Sequence, residues 1–252
     1  MTERLFVNTR AAQVAIQSLD RIAAEQIIGM VVANPGVGKT ESIKAWCRKR
    51  GAAYRHVWIE ADVLTSPRPI LTAIVQALGV ARTAGVAANM HATKQRVCEE
   101  LAKDPVMVGI DEADLLTVRT FEFVRSIWDR VADLRDMPGE HGFPLALFGT
   151  PRLREMLSRD DLERLRRRTF HKAELPPLNA KEMETILAAK WKELRCDDEG
   201  LAGLLRLSRG SFGWLNVIVP IAAKLAAKDS RIVTARILRA TQKYLIGLPE
   251  EE

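Results

Sequence analysis

The stretch VVANPGVGKTES, Val31 to Ser42, holds residue types that grip a phosphate chain. Gly36 and Gly38 let successive backbone N–H groups converge on phosphate oxygens. Lys39 is placed to reach the β- and γ-phosphates, and the Thr40 hydroxyl is a ligand for Mg²⁺. Asn34, Pro35, Val37 and Glu41 complete the loop. The usual pattern is G-x-x-x-x-G-K-[ST], and here Ala33 stands in the first place. An alanine costs little there if its φ is negative, and about a kcal/mol if φ must be positive. A live ATP site with one tolerated departure is therefore expected.

A second stretch, VMVGIDEAD at Val106–Asp114, ends an apolar run in two acids. Asp111 suits the water shell of Mg²⁺, and Glu112 suits orientation and polarisation of an attacking water. In LALFGTPRL, Leu145–Leu153, a further apolar run ends at Thr150. Its hydroxyl can face the γ-phosphate or the lytic water, can cap a helix before Pro151, or both. Then RDDLERLRRRTFHKAEL crowds Arg164, Arg166, Arg167 and Arg168 ahead of the last apolar run. Most of these arginines belong to a solvated or anion-binding face. One sits where a neighbouring subunit can present it to a γ-phosphate, stabilising transition-state charge and tying hydrolysis to assembly. Arg168 is favoured, with Arg167 second.

These residues need a scaffold that brings strand ends together. Short, β-branched apolar runs at Ile27–Ala33, Tyr54–Glu60, Val106–Ile110, Leu145–Gly149 and Thr169–Leu175 alternate with helical patterns. Four are nearly continuous in hydrophobics, as strands buried on both faces are. The expectation is an α/β fold with a parallel five-stranded sheet flanked by helices. The loop lies between the first strand and a helix, the context that phosphate binding requires. A long helix is expected over Thr117–Arg135. After Pro176-Pro177 the strand signal stops. Asn179 is placed to cap a helix from Ala180, and helical patterns follow at Asp198–Leu207, Trp214–Lys228 and Val233–Ile246. We expect a nucleotide-binding domain over 1–176, with 1–26 a leading helical segment, and a small all-helical lid over 177–252.

The bulk of the chain narrows the function. Its 252 residues suffice for a large core, and the net charge of +6 suits an anionic partner such as nucleic acid. Cys47, Cys98 and Cys196 are far apart with no C-x-x-C pair, which suggests neither a disulfide framework nor a zinc site. His56, His91, His141 and His171 are scattered without metal-ligand spacing. MTERLFVNTR lacks an apolar signal core, and no apolar run approaches the ~20 residues that span a bilayer. A cytoplasmic protein with no membrane partner is expected.

The order of motifs resembles the AAA+ ATPases: phosphate loop, strand ending in Asp-Glu, strand ending in Thr, arginine helix, helical lid. Within that class the chain looks most like the MuB/TnsC-like target-selection proteins of transposition. The resemblance rests on FVNTRAAQVAI before the first strand, NPGVGKTE at Asn34–Glu41, GIDEADLL at Gly109–Leu116, GTPRL at Gly149–Leu153 and GSFGWLN at Gly210–Asn216. It implies ATP binding, self-assembly into rings or helical filaments on double-stranded DNA, and recruitment of a transposase, with a separate target-selector protein as a further partner. DNA would be held without sequence preference through its phosphates. By position, the inner-face candidates are Thr65, Arg68, Arg82, Thr83 and Lys94. Two departures stand out. No helix-turn-helix domain precedes the ATPase pattern in this sequence, so either DNA binding comes from the ATPase body or the sequence is part of a longer protein. The lid position that often carries a nucleotide-sensing arginine holds Gly213 and Trp214, with Arg209 the nearest basic residue and Trp214 suited to the lid core. Other AAA+ roles stay open: a helicase loader, a secretion-associated ATPase, or a scaffold with little turnover.

Overall fold

Three strands are apolar but for the Asp111 that ends one of them, and in the structure, a computed structural model, all three are buried at every residue: β1 (Ile28–Val32), β3 (Met107–Asp111) and β4 (Leu145–Gly149). They form the middle of a sheet whose order is β2-β3-β4-β1-β5, with β2 (His56–Glu60) and β5 (Thr169–Glu174) at the edges. Every pairing is parallel. The edge strands are only partly buried, as expected of strands with one neighbour. The α/β sheet read from the sequence is thus the observed one. The structure describes residues 6–50, 54–79, 89–104, 106–137, 141–227 and 232–245.

Around the sheet run α1 (Arg10–Glu25), α2 (Lys39–Arg50), α3 (Pro67–Leu78), α4 (Met90–Lys103), α5 (Val118–Leu134), α6 (Pro151–Leu157) and α7 (Glu163–Arg168). A single apolar core joins the inward faces of β1, β3 and β4 to α3, α4, α5 and α6, with Trp128 and Phe121 among its largest fully buried side chains. Trp128 satisfies its indole by donating to the Phe143 carbonyl at 3.0 Å, as a buried Trp must. Capping sets several helix starts. Thr117 accepts from the Thr120 N–H at the head of α5, and Asn89 from His91 and Ala92 at the head of α4.

Beyond Leu175 come α8 (Ala180–Lys190), β6 (Arg195–Cys196), α9 (Asp198–Ser208), α10 (Phe212–Ala226), β7 (Ile232–Val233) and α11 (Ala235–Gln242). Asn179 closes a reciprocal capping box with Glu182, and Arg10 donates its backbone N–H to the same Glu182 carboxylate at 2.5 Å. The expectation of an all-helical region needs one correction: β6 and β7 pair in parallel, Arg195 with Ile232 and Cys196 with Val233. Two-residue strands are too short to leave a period in the sequence. A second apolar core unites these helices through Met183, Leu204, Leu215 and Ile218.

The chain divides into two compact units. One holds Val14–Ala33 and Ser42–Glu174. The other joins the phosphate loop, Asn34–Glu41, to the chain from Leu175 onward and to the segment before Val14. Among the described residues no helix is long and apolar enough to cross a membrane.

Candidate nucleotide site

The carboxyl ends of parallel strands are where α/β folds place ligands. Here Val32 stands opposite Gly149, Ile110 opposite Leu147 and Glu60 opposite Asp111, so β1, β2, β3 and β4 finish at one edge. The phosphate loop leaves β1 at that edge and returns into α2.

Ala33 is buried and donates its N–H to the Gly149 carbonyl at 3.0 Å, extending the β1–β4 ladder by one residue. Its φ is not positive, so the first place of the motif makes no demand that only glycine meets. The demand falls on Gly36 (φ 77°) and Gly38 (φ 109°). Lys39 opens α2 and is buried, with 5% of its surface exposed. Asn34, Pro35 and Thr40 are exposed, Val37 is buried, and Glu41 lies in the first turn of α2.

The loop is braced from within its own unit. Ser211 Oγ donates to the Pro35 carbonyl at 3.1 Å, and the Gly213 N–H donates to the Gly36 carbonyl at 3.1 Å. Ser211 also caps α10 by accepting from the Trp214 N–H. A Cβ on Gly36 would fall 2.4 Å from Ser211 Oγ and 3.0 Å from the Gly213 backbone, so the two chains meet only because both residues are glycine. The GSFGWLN stretch therefore engages the loop through its backbone and a serine, without an arginine. Arg209 is exposed and ends α9 in a left-handed conformation (φ 49°). Trp214 is 38% exposed, which corrects its expected place in the lid core. It occupies the first turn of α10, and Leu215, Ile218 and Val219 supply the buried face of that helix.

Asp111 ends β3 with 6% exposure, and its Oδ1 accepts the Glu112 N–H at 3.0 Å. Glu112 then takes a left-handed conformation (φ 53°, ψ 37°), which is unfavourable for a side chain of this size and recurs at functional positions. That turn leads into a short 3₁₀ helix, Ala113–Leu115, which aims Asp114 back at β4. Asp114, 6% exposed, accepts the Thr150 N–H at 2.9 Å and the Thr150 hydroxyl at 2.8 Å. A Cβ on Gly149 would lie 2.5 Å from the same carboxylate. Thr150 thus sits at the N-cap position of α6, but its hydroxyl makes no cap bond. Asp114 escaped the sequence reading, although its signal is present: a third acid in IDEAD, one short turn beyond the strand end.

The arginines of α7 are separately engaged. Arg168 donates through Nε to Asp129 at 3.1 Å, and Arg125 links that carboxylate to Glu122. The Glu122 hydrogen bonds raise the pKa of Arg125. Arg167 pairs with Glu163 at 2.5 Å, and Arg166 donates to the Ser158 carbonyl. Arg164 is exposed. A basic cleft of about 390 Å³ opens beside β5, lined by Arg154, Arg166, Lys172 and Glu174 among others.

Of the expected DNA-facing residues, Thr65 is tied into the turn after β2, donating its hydroxyl to Asp62 at 2.7 Å. Its turn exposes Val63 and Leu64. Arg68 is exposed in the first turn of α3. Lys94 is half-buried, donating to Ser126 Oγ at 2.7 Å and lying over the Phe123 ring. Arg82 and Thr83 lie outside the described residues.

Comparison with known proteins agrees with this geometry. The family model for the AAA domain matches residues 23–157, just over half of the chain. Among solved structures, Cdc6p from Pyrobaculum aerophilum is similar over 99% of this chain and 71% of that one, at 16% identity and a TM-score of 0.71. The Thermotoga maritima RuvB Holliday junction branch migration motor is similar over 93% of this chain and 68% of that one, at 17% identity and TM-score 0.57. The Aeropyrum pernix ORC1 protein in complex with DNA is similar over 93% and 64%, at 15% identity and TM-score 0.57. No curated protein matches the sequence. A phosphate loop between β1 and α2, acids ending β3 and this family match lead to one conclusion: the chain belongs to the AAA domain family and is a nucleotide-binding ATPase.

Proposed function

We propose that the chain binds ATP with Mg²⁺, assembles into rings or helical filaments on double-stranded DNA, and there recruits and regulates a transposase. The observation that carries the ATP part is the common strand edge, from which the loop leaves β1 and Asp111 and Glu112 leave β3. Lys39 would hold the β- and γ-phosphates, and Gly36 and Gly38 supply the left-handed backbone such a loop needs. Thr40 and, through water, Asp111 would hold Mg²⁺, which supplies charge neutralisation along the phosphates. Glu112 would take the proton side of the attacking water, and Thr150 would face the same water. Arg168, or Arg167, would complete the site of a neighbouring copy; for that, Arg168 must exchange Asp129 for phosphate. The ATPase domain would end near 176, and 177–252 would serve as its lid.

The DNA part is supported by the excess of basic residues and by Thr65 and Arg68 standing together where β2 meets α3. Similar folds in ORC1, whose structure is in complex with DNA, and in RuvB, a Holliday junction branch migration motor, lend it precedent. The transposition part rests on the five motif stretches shared with the MuB/TnsC-like proteins.

Fluorescence anisotropy of a random-sequence DNA duplex at fixed salt, with ATP, with ADP and without nucleotide, tests the reading. Strong, cooperative binding confined to ATP is expected. Equal binding in all three states, or none, would overturn it and direct the search to a protein partner, as for a helicase loader.

A further inference from the structure

The contact between Asp114 and Thr150 fixes more than a position. A carboxylate accepts hydrogen bonds and does not give them, whereas a threonine hydroxyl has one proton and two lone pairs. With Asp114 buried and 2.8 Å from Thr150 Oγ1, the single hydroxyl proton is committed to Asp114. The second carboxylate oxygen accepts the Thr150 N–H at 2.9 Å, so the residue is clamped at two points and cannot turn. What Thr150 presents to its other neighbours is therefore lone-pair density. Such a group accepts from water and is repelled by an anionic phosphate oxygen.

We infer that Asp114 is a positioning residue that makes Thr150 a hydrogen-bond acceptor for the attacking water rather than a donor to the γ-phosphate. This rests on the reading that Thr150 belongs to the hydrolytic site. Three features build the device. The left-handed turn at Glu112 reverses the chain after β3, the 3₁₀ turn delivers Asp114 to β4, and Gly149 leaves room for the carboxylate where a Cβ would lie 2.5 Å from Oδ1. One short segment therefore carries Asp111 and Glu112 and also sets the direction of hydrogen bonding at the end of β4.

Asp114→Asn tests the assignment with little change in shape. Its amide oxygen can still accept the Thr150 N–H, but its NH₂ donates to Oγ1 and drives the hydroxyl proton outward, turning an acceptor into a donor. Single-turnover ATP hydrolysis and nucleotide affinity are measured for wild type, Asp114→Asn, Thr150→Val and Thr150→Ser, with a thermal melt for each. For Asp114→Asn and Thr150→Val, a fall in kcat of about 100-fold is expected, with nucleotide affinity kept within about twofold. Thr150→Ser keeps both bonds and should retain most of the rate, and the Asp114→Asn/Thr150→Val double variant should lose no more than either alone. A normal rate in Asp114→Asn beside a slow Thr150→Val would overturn the role of Asp114. A normal rate in Thr150→Val would instead remove Thr150 from the chemistry, and with it the underlying reading. Weakened nucleotide binding at unchanged kcat would show donation to phosphate and refute the inference. Should Asp114→Asn fail to fold, the serine and valine variants decide: a slow Thr150→Val beside a near-normal Thr150→Ser upholds the hydroxyl's role, whereas a slow Thr150→Ser beside a normal Thr150→Val would assign the effect to packing of the threonine methyl and overturn it.

Discussion

The phosphate loop and the ends of β3 and β4 are held in opposite ways. The loop is held through its backbone: its carbonyls at Pro35 and Gly36 accept from Ser211 and Gly213, and the approach depends on missing Cβ atoms. The strand ends are held through carboxylates: Asp111 closes on the Glu112 N–H, and Asp114 clamps Thr150. A backbone clamp is indifferent to charge and intolerant of bulk. A carboxylate clamp tolerates shape and is sensitive to a change of one proton. The two ends should therefore fail differently when altered.

The largest effect is expected at the loop. Lys39→Ala should abolish ATP-dependent assembly on DNA, seen by electron microscopy or light scattering; normal filaments would break the assignment of the loop as the phosphate site. At the strand end, Glu112→Gln should bind ATP and remain assembled, and disassembly at the wild-type rate would exclude Glu112 as the water-orienting residue. Glu112→Gly should separate conformation from chemistry. It should remove hydrolysis, yet relief of the left-handed side chain, less the entropy of glycine, should raise stability by about 0.5–1 kcal/mol in urea unfolding. A loss of stability there would mean that the Glu112 side chain supports the turn. Ser211→Ala deletes one loop contact and one helix cap, so nucleotide affinity should weaken by less than tenfold, about 1 kcal/mol. No change in a titration would assign the bracing of the loop to Gly213 alone.

The smallest effect lies away from both ends. His171 on β5 has a buried Nε2 without a partner among the described residues, and burial, then Arg21, lower its pKa below 6.5. The unfolded chain then binds this proton more readily than the native one. Stability should fall as pH drops through about 6.5 and be fully retained above it. Melting temperatures at pH 5 and pH 8 should differ less in His171→Leu than in wild type.

Legibility in the sequence followed the physics of each element. The central strands announce themselves because burial on both faces demands unbroken apolar runs, and the Asn179 cap because its partner Glu182 lies three residues on. β6 and β7 leave no such trace, since two residues make no period. At the candidate site, the glycines, Lys39 and the paired acids stand out by type and spacing. Ser211 does not, because it acts on a segment distant in the chain; Asp114 shows only as a third acid in IDEAD, its partner Thr150 lying at the end of another strand. The apolarity of Trp214 points to the core, but its place on α10 turns it away from the buried face.

The order of the strands bears on how the protein is made. β1 is translated before the other strands of the sheet, yet its sheet partners among the described residues, β4 and β5, follow on the far side of α5 in the chain. β2 and β3, by contrast, can pair as soon as both have left the ribosome. Closing β1 into the sheet waits for long-range contacts that are slow to form. The strand from which the phosphate loop hangs is thus synthesised before the other strands of its sheet and is among the last of them to find its neighbours. A nascent chain arrested before β4 would carry the complete loop sequence on a β1 with neither of its partner strands.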